Sequence, residues 1–95
     1  MDALEVYLQQ RVVLDLSSPY VCLGKLTRID QHHYVLVDAD LHDLRDSPTT
    51  RENYIVAARI AGIKANRKEV LVRAEEVVAI SLFKNVIDRD DEDEE

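Results

Sequence analysis

The chain has 95 residues and lacks several features that define other protein classes. Its one cysteine, Cys22, cannot form an internal disulfide, which is typical of a reducing compartment. No apolar run approaches the roughly 20 residues that span a bilayer. Residues 1–10 are acidic and lack the basic segment of a signal peptide. We therefore expect a cytoplasmic protein of one folded domain, without a membrane segment.

Negative charge is concentrated at the C-terminal end. The net charge is −7, and residues 88–95 (DRDDEDEE) contribute −6 of it. A run of like charge without apolar residues buries no surface, so we expect a disordered acidic tail over 88–95. Residues 1–87 carry only −1, and the chain is 46% hydrophobic, which predicts one folded domain over 1–87. A local basic patch on this nearly neutral domain is compatible with the composition.

Short β-branched and apolar runs predict five strands. Gly24 lies inside the second strand and predicts a bend or bulge where two backbones approach closely. Leu26 and Ile29 are three residues apart, so they share a face only if the strand has an irregularity. Five short, mostly antiparallel strands in a small domain predict a closed barrel, because closure removes exposed edges. The predicted strands are Arg11–Leu16, Tyr20–Ile29, His33–Ala39, Glu69–Arg73 and Val77–Phe83.

Two helices are predicted in addition to the strands. An aspartate followed three residues later by Glu5 forms a capping pattern, which predicts a short N-terminal helix over about 3–10. An amphipathic pattern predicts an inserted helix over 49–61. Ser47 followed by proline predicts the start of this helix, and Gly62 predicts its end at the C′ position.

The turn after the second strand contains the sequence DQHHY, residues 30–34, and suggests several kinds of chemistry. Adjacent residues of an extended chain point to opposite faces, which disfavours chelation of one ion by His32 and His33. Cys22 lies in an apolar strand, where burial raises the pKa of a thiol and disfavours a nucleophile. Paired carboxylates, which general acid–base catalysis requires, occur only in the tail and in 38–46. Exposure to solvent is a sufficient explanation for acidic residues in such segments. We therefore expect no metal, no cofactor and no enzymatic activity.

Two stretches of the chain resemble the signatures of the Sm/Lsm (Sm-like) ribonucleoprotein family. Residues 12–39 (VVLDLSSPYVCLGKLTRIDQHHYVLVDA) contain an apolar strand, a bent strand centred on glycine, Leu-x-x-Ile-Asp, and an apolar strand ending in Asp-Ala. Residues 70–82 (VLVRAEEVVAISL) resemble the second signature, in which an arginine follows an apolar strand. The resemblance implies a mainly β fold: a small, strongly bent five-stranded Sm-like (SH3-like) barrel with an N-terminal helix. The chain is a divergent form, with a helical insertion at about 47–62 between the two motifs.

The resemblance also implies a homo-oligomeric ring of five to seven subunits. In the family, the fourth strand of one subunit pairs with the fifth strand of the next, which here correspond to 69–73 and 77–83. The residues support this expectation, because an apolar edge strand without protection tends to find a partner strand. A head-to-tail contact that closes gives a cyclic assembly.

In this family, bases of single-stranded RNA are bound at the ring pore. By motif position, His32 is the residue that stacks on a base, Arg73 is the arginine of the second motif, and Asp30 supports the loop. Tyr34 replaces the asparagine that reads the base edge, and Ala74 replaces a glycine. We expect an RNA-binding ring without catalysis. The alternative is an Sm-fold oligomeric scaffold for protein–protein interaction, through the inserted helix and without RNA binding.

Overall fold

Five antiparallel strands form the sheet of this protein, whose computed structural model describes residues 3–88. The spatial order of the strands is β4-β3-β2-β1-β5. One α-helix, α1 (Arg51–Ala61), lies between the third and fourth strands. The predicted mainly β fold with an inserted helix is therefore confirmed. The strands are β1 (Arg11–Leu16), β2 (Tyr20–Ile29), β3 (His33–Asp43), β4 (Arg67–Arg73) and β5 (Val77–Leu82).

The two ends of the sheet are the strands β4 and β5. Within residues 3–88, β4 pairs only with β3, and β5 pairs only with β1. Hydrogen bonds within one chain do not pair β4 with β5, so the predicted closure of the barrel is not found within residues 3–88. Both strands keep one free edge, which is the arrangement that favours pairing with another chain.

The start of the inserted helix differs from the prediction. Thr50 is the N-cap, and its hydroxyl accepts a hydrogen bond from the backbone N–H of Asn53 at 3.1 Å. Ser47 has extended backbone angles, and its hydroxyl lies 3.0 Å from Nε2 of His42. The prediction of Ser47 as N-cap is therefore wrong, because a second capping residue lies closer to the helix.

The end of α1 and the two predicted irregularities of β2 are confirmed. Gly62 has φ of 95°, and its backbone N–H donates to the carbonyl of Ala58 at 2.7 Å. A Cβ at Gly24 would lie 2.9 Å from the Cβ of Ala39, so only glycine permits this close approach. The register of β2 against β3 shifts between Leu23 and Lys25 and again between Leu26 and Arg28.

Four other boundaries also differ from the predictions. β4 begins at Arg67 instead of Glu69, and β5 ends at Leu82 instead of Phe83. The predicted N-terminal helix over 3–10 is a short 3₁₀ helix over Ala3–Tyr7. The third strand continues beyond Ala39 to Asp43, with Asp38 at φ of 48° as a local irregularity. The acidic tail prediction lies, apart from Asp88, outside the described residues.

The sheet packs apolar side chains on both faces. The inner cluster draws on all five strands, and the N-terminal 3₁₀ helix packs against it. The outer cluster joins β1 and β2 to α1 through Ile55 and to the turn after β5 through Phe83. Among residues 3–88, no helix is long and apolar enough to cross a membrane. The fully buried members of the inner cluster are Val12, Leu14, Cys22, Leu26, Leu36 and Ala39, and the outer cluster is Val13, Val21, Leu23, Ile55 and Phe83.

Candidate functional site

Asp30 orders the turn between β2 and β3. Its Oδ1 accepts hydrogen bonds from the backbone N–H groups of His32 and His33, both at 2.8 Å. The backbone N–H of Asp30 donates to the carbonyl of His33 at 2.9 Å. The hydrogen bonds from His32 and then His33 hold the pKa of the exposed Asp30 carboxyl below its usual range. This is the local geometry of an Asx turn, and it fixes the backbone at both histidines.

The pairing of β3 with β4 brings the loops of the two motifs together. His33 lies directly opposite Arg73 in the antiparallel register. The backbone N–H of Ala74 donates to the carbonyl of His32 at 2.7 Å, which extends the ladder beyond the strands. Residues that are about 40 positions apart in the chain are therefore joined at one site, as the order of strands in an antiparallel sheet requires.

An open cleft of about 250 Å³, the loop cleft, lies between these two loops. Arg73 is 74% exposed, and its Nη1 lies 3.7 Å from Oε1 of Glu75, an exposed ion pair of little strength. His33 Nδ1 lies 3.7 Å from Oδ1 of Asp30. Planar, hydrogen-bonding side chains therefore face solvent from both loops. The loop cleft is lined by Gln31, His32, His33, Arg73, Ala74 and Glu75.

The structure brings some of the predicted site residues together and separates one from the others. His32 and Arg73 both line the loop cleft, and Asp30, which does not line it, orders the turn that carries His32. Tyr34 does not line this cleft. Its half-buried side chain packs against the inner cluster, and across the sheet it faces Val72.

Sequence reasoning missed His33 and Glu75 as neighbours of this site. Alternation along a strand placed His33 on the opposite face from His32, yet both residues line the loop cleft. The Asx turn at Asp30 precedes the strand, so alternation does not apply between the two histidines. The sequence signal for such a turn is an aspartate three residues before the first residue of the strand.

Ala74 adopts a conformation that suits alanine. It begins the 3₁₀ turn Ala74–Glu76, and it is not among the non-glycine residues with positive φ in the described chain, which are Gln9 and Asp38. The glycine that the family has at this position is therefore not needed for the shape of this loop.

The candidate nucleophile lies in the core of the fold, away from solvent. Within residues 3–88, no group of three or more His, Cys, Asp or Glu side chains is placed to bind a metal ion. Cys22 is fully buried, and burial, followed by the nearby charge of Asp40, raises its thiol pKa to about 12. A thiolate at Cys22 is therefore strongly disfavoured at neutral pH.

A polar network attaches the inserted helix to the sheet. The buried carboxylate of Asp40 accepts hydrogen bonds from the hydroxyl of Tyr54 and, at 3.2 Å, from Nδ2 of Asn66. Asn66 also bonds both backbone groups of Leu41, each at 3.0 Å. The ring of His42 stacks on Tyr54 at 3.9 Å with an interplanar angle of 3°. Burial, followed by the bond to Asp40, raises the pKa of the Tyr54 phenol well above its usual value.

Arg51 ties the first turn of α1 to the β1–β2 turn. Its guanidinium donates to three backbone carbonyls: Tyr20 at 3.0 Å, Ser18 at 3.2 Å and Leu16 at 3.4 Å. Asp15 lies 3.9 Å from the same guanidinium. The five donors of arginine suit this role, since one side chain satisfies several carbonyls of an irregular turn.

Comparison with known proteins shows the fold. No protein-family model and no curated protein sequence matches the chain. Among solved structures, the chain is similar to the Pyrococcus abyssii Sm protein in complex with a uridine heptamer, with a TM-score of 0.57 and 22% sequence identity. The match covers 86% of this chain and 99% of that chain. The fold that the two motifs imply is therefore confirmed, and the chain has the Sm fold with a helical insertion.

Proposed function

We propose that the protein forms a homo-oligomeric ring of five to seven subunits and binds single-stranded RNA at the ring pore, without catalysis. The observation that carries this proposal is the loop cleft, where the loops of both motifs meet with His32 and Arg73 exposed. The folded domain over 1–87 is the unit of assembly in this proposal.

The two free edges of the sheet support ring assembly. An open apolar groove of about 220 Å³ runs beside β4, and Leu71 on this strand is 50% exposed. Val78 on β5 is 70% exposed. A β5 strand from a neighbouring copy would extend the sheet at β4 and cover these apolar side chains. Since the two edges differ, the contact is head-to-tail, and a closed series of such contacts is a ring.

The chemistry of the loop cleft suits nucleobases. The imidazole of His32 and the guanidinium of Arg73 are planar, and each stacks on bases with about 1–3 kcal/mol per base. Arg73 also brings positive charge, which phosphate groups favour. The Sm protein of Pyrococcus abyssii was solved with a uridine heptamer, so oligouridine is the first ligand to test here. Asp30 positions the loop, and an RNA contact by Tyr34 stays a prediction.

Fluorescence anisotropy with a labelled oligouridine, at fixed salt, tests RNA binding. We expect Arg73→Ala and His32→Ala each to weaken binding about 5- to 150-fold, the equivalent of one lost base stack. Arg45→Ala is the matched control, because Arg45 is exposed but bonds the carboxylate of Asp43 at 2.8 Å and does not line the loop cleft. Equal affinity of the control and both loop variants would contradict the pore site.

Native mass spectrometry with and without oligouridine tests the assembly. We expect one ring of defined subunit number, and dissociation to monomers when Val78→Glu places a charge on the free edge of β5. A monomeric wild-type protein at micromolar concentration is incompatible with the ring. An intact ring that binds no RNA would instead favour the scaffold function through α1.

A further inference from the structure

A second open cleft, the basic cleft, lies at the C-terminal end of α1. Its volume is about 480 Å³, and it shares no residue with the loop cleft. Arg11 at the start of β1, Arg59 on α1 and Lys84 after β5 line it, together with apolar side chains. No carboxylate lines this cleft, although the chain as a whole has a net charge of −7.

The three cationic side chains of the basic cleft are exposed to solvent. None of them forms an ion pair with a carboxylate in the part of the chain that the structure describes, whereas Arg45 and Arg51 do. The guanidinium carbon of Arg11 lies 5.6 Å from the ring centroid of buried Phe83, a cation–π contact that orients the side chain. The cleft therefore presents three positive groups to solvent, one of which lies over an aromatic ring.

A fourth cation adds to this surface. Lys25 lies directly opposite Arg11 in the antiparallel register of β1 and β2, so the two exposed side chains share one face of the sheet. Like charges at directly opposed positions destabilise a sheet. Arg59 complements the helix dipole in the last turn of α1, which explains its own position. The dipole does not explain the opposed pair of Arg11 and Lys25 or the position of Lys84.

We propose that the basic cleft binds the phosphate backbone of single-stranded RNA outside the pore. This inference depends on the proposed function, because RNA is the ligand in both. Guanidinium groups bind phosphate oxygens in bidentate geometry, and two of them line this cleft. Ile60 is 71% exposed beside Arg59 and offers an apolar surface against which a base packs. Arg59 and Ile60 belong to the inserted helix, so the insertion itself builds this second site.

The salt dependence of RNA binding tests the basic cleft. A short oligouridine that fills only the pore is compared with a single strand long enough to reach from the pore to the outer surface. The slope of log affinity against log salt is negative for RNA binding. For the long strand, we expect the double variant Arg11→Gln/Arg59→Gln to make this slope shallower by about 1.4, at about 0.7 per lost phosphate contact. The short strand should bind the double variant with the wild-type affinity and slope.

Matched variants separate the basic cleft from the pore. Arg45→Gln removes one positive charge outside both clefts and should leave the long-strand slope unchanged. Arg73→Ala should weaken binding of both strands, and if it changes neither while the double variant makes the slope shallower, the pore site fails and the basic cleft stands. An unchanged long-strand slope in the double variant overturns the basic cleft and leaves the pore proposal intact. Binding of a synthetic peptide of sequence 88–95 is measured in parallel. If the basic-cleft variants lose affinity for this acidic peptide but not for the long RNA, the cleft is a peptide site, and the proposal of an RNA site there is overturned.

Discussion

The two faces of the sheet are built differently. The inner face is covered by an apolar cluster from all five strands, and its central side chains, such as Leu14, have no exposed surface. The outer face carries a buried cluster of five residues, and α1 is attached to it through Ile55 and through polar contacts of Tyr54 with Asp40 and of Arg51 with backbone carbonyls. Apolar burial is non-directional and stabilises the fold, whereas hydrogen bonds fix position. The inner face therefore maintains the Sm fold, and the outer face positions an added element.

The largest expected difference between the faces concerns apolar truncations. Leu14→Ala removes a fully enclosed side chain of the inner cluster and should lower the free energy of unfolding by about 4 kcal/mol. Ile55→Ala on α1 should cost about 2 kcal/mol, because the helix can settle toward the small outer cluster. Chemical denaturation at one fixed protein concentration measures both values. Equal losses of unfolding free energy in the two variants would contradict the conclusion that the inner face contributes most of the stability.

The inner face could be predicted from the sequence because its signals are local and repeated. Alternating apolar residues, the bend at Gly24 and the order of the strands all follow from short patterns and from the two motifs. Two backbones touch at Gly24, and the absence of a Cβ there is visible in one letter of the sequence. Closure of the barrel was predicted from the number of strands but is not found within residues 3–88 of one chain, because edge pairing between β4 and β5 depends on long-range geometry.

The outer face and part of the candidate site could not be predicted in the same way. Asp40 and Asn66 are 26 positions apart, and no sequence pattern indicates that the buried carboxylate of Asp40 bonds both Asn66 and Tyr54 of α1. His33 faces the loop cleft because an Asx turn precedes the strand, which the rule of alternation ignores. Arg73, which was assigned by motif position, lines the loop cleft with His32, whereas Tyr34 packs against the inner cluster. The RNA contacts of these residues stay predictions.

The polar network of the outer face provides the second test. Tyr54→Phe keeps the ring that stacks on His42 but leaves the buried carboxylate of Asp40 without its hydroxyl donor. An unsatisfied buried polar group costs about 1–3 kcal/mol. We expect amide hydrogen exchange to speed up across 51–61, while the exchange of β1 amides stays slow, since the helix opens as a local unit. Uniform acceleration in helix and strands would show instead that the network supports the whole fold.

The smallest effect distinguishes the two capping residues at the start of α1. Thr50→Ala removes the hydroxyl that accepts the bond from Asn53, and N-cap losses of this kind cost about 1 kcal/mol. Ser47→Ala removes only the contact with His42, so we expect a loss below about 0.5 kcal/mol. Circular dichroism and chemical denaturation compare the two variants. If Ser47→Ala costs more than Thr50→Ala, the helix begins where the sequence pattern first placed it. A smaller loss for Ser47→Ala than for Thr50→Ala would show that the Ser47 hydroxyl does not cap α1, in agreement with its contact with His42 of β3.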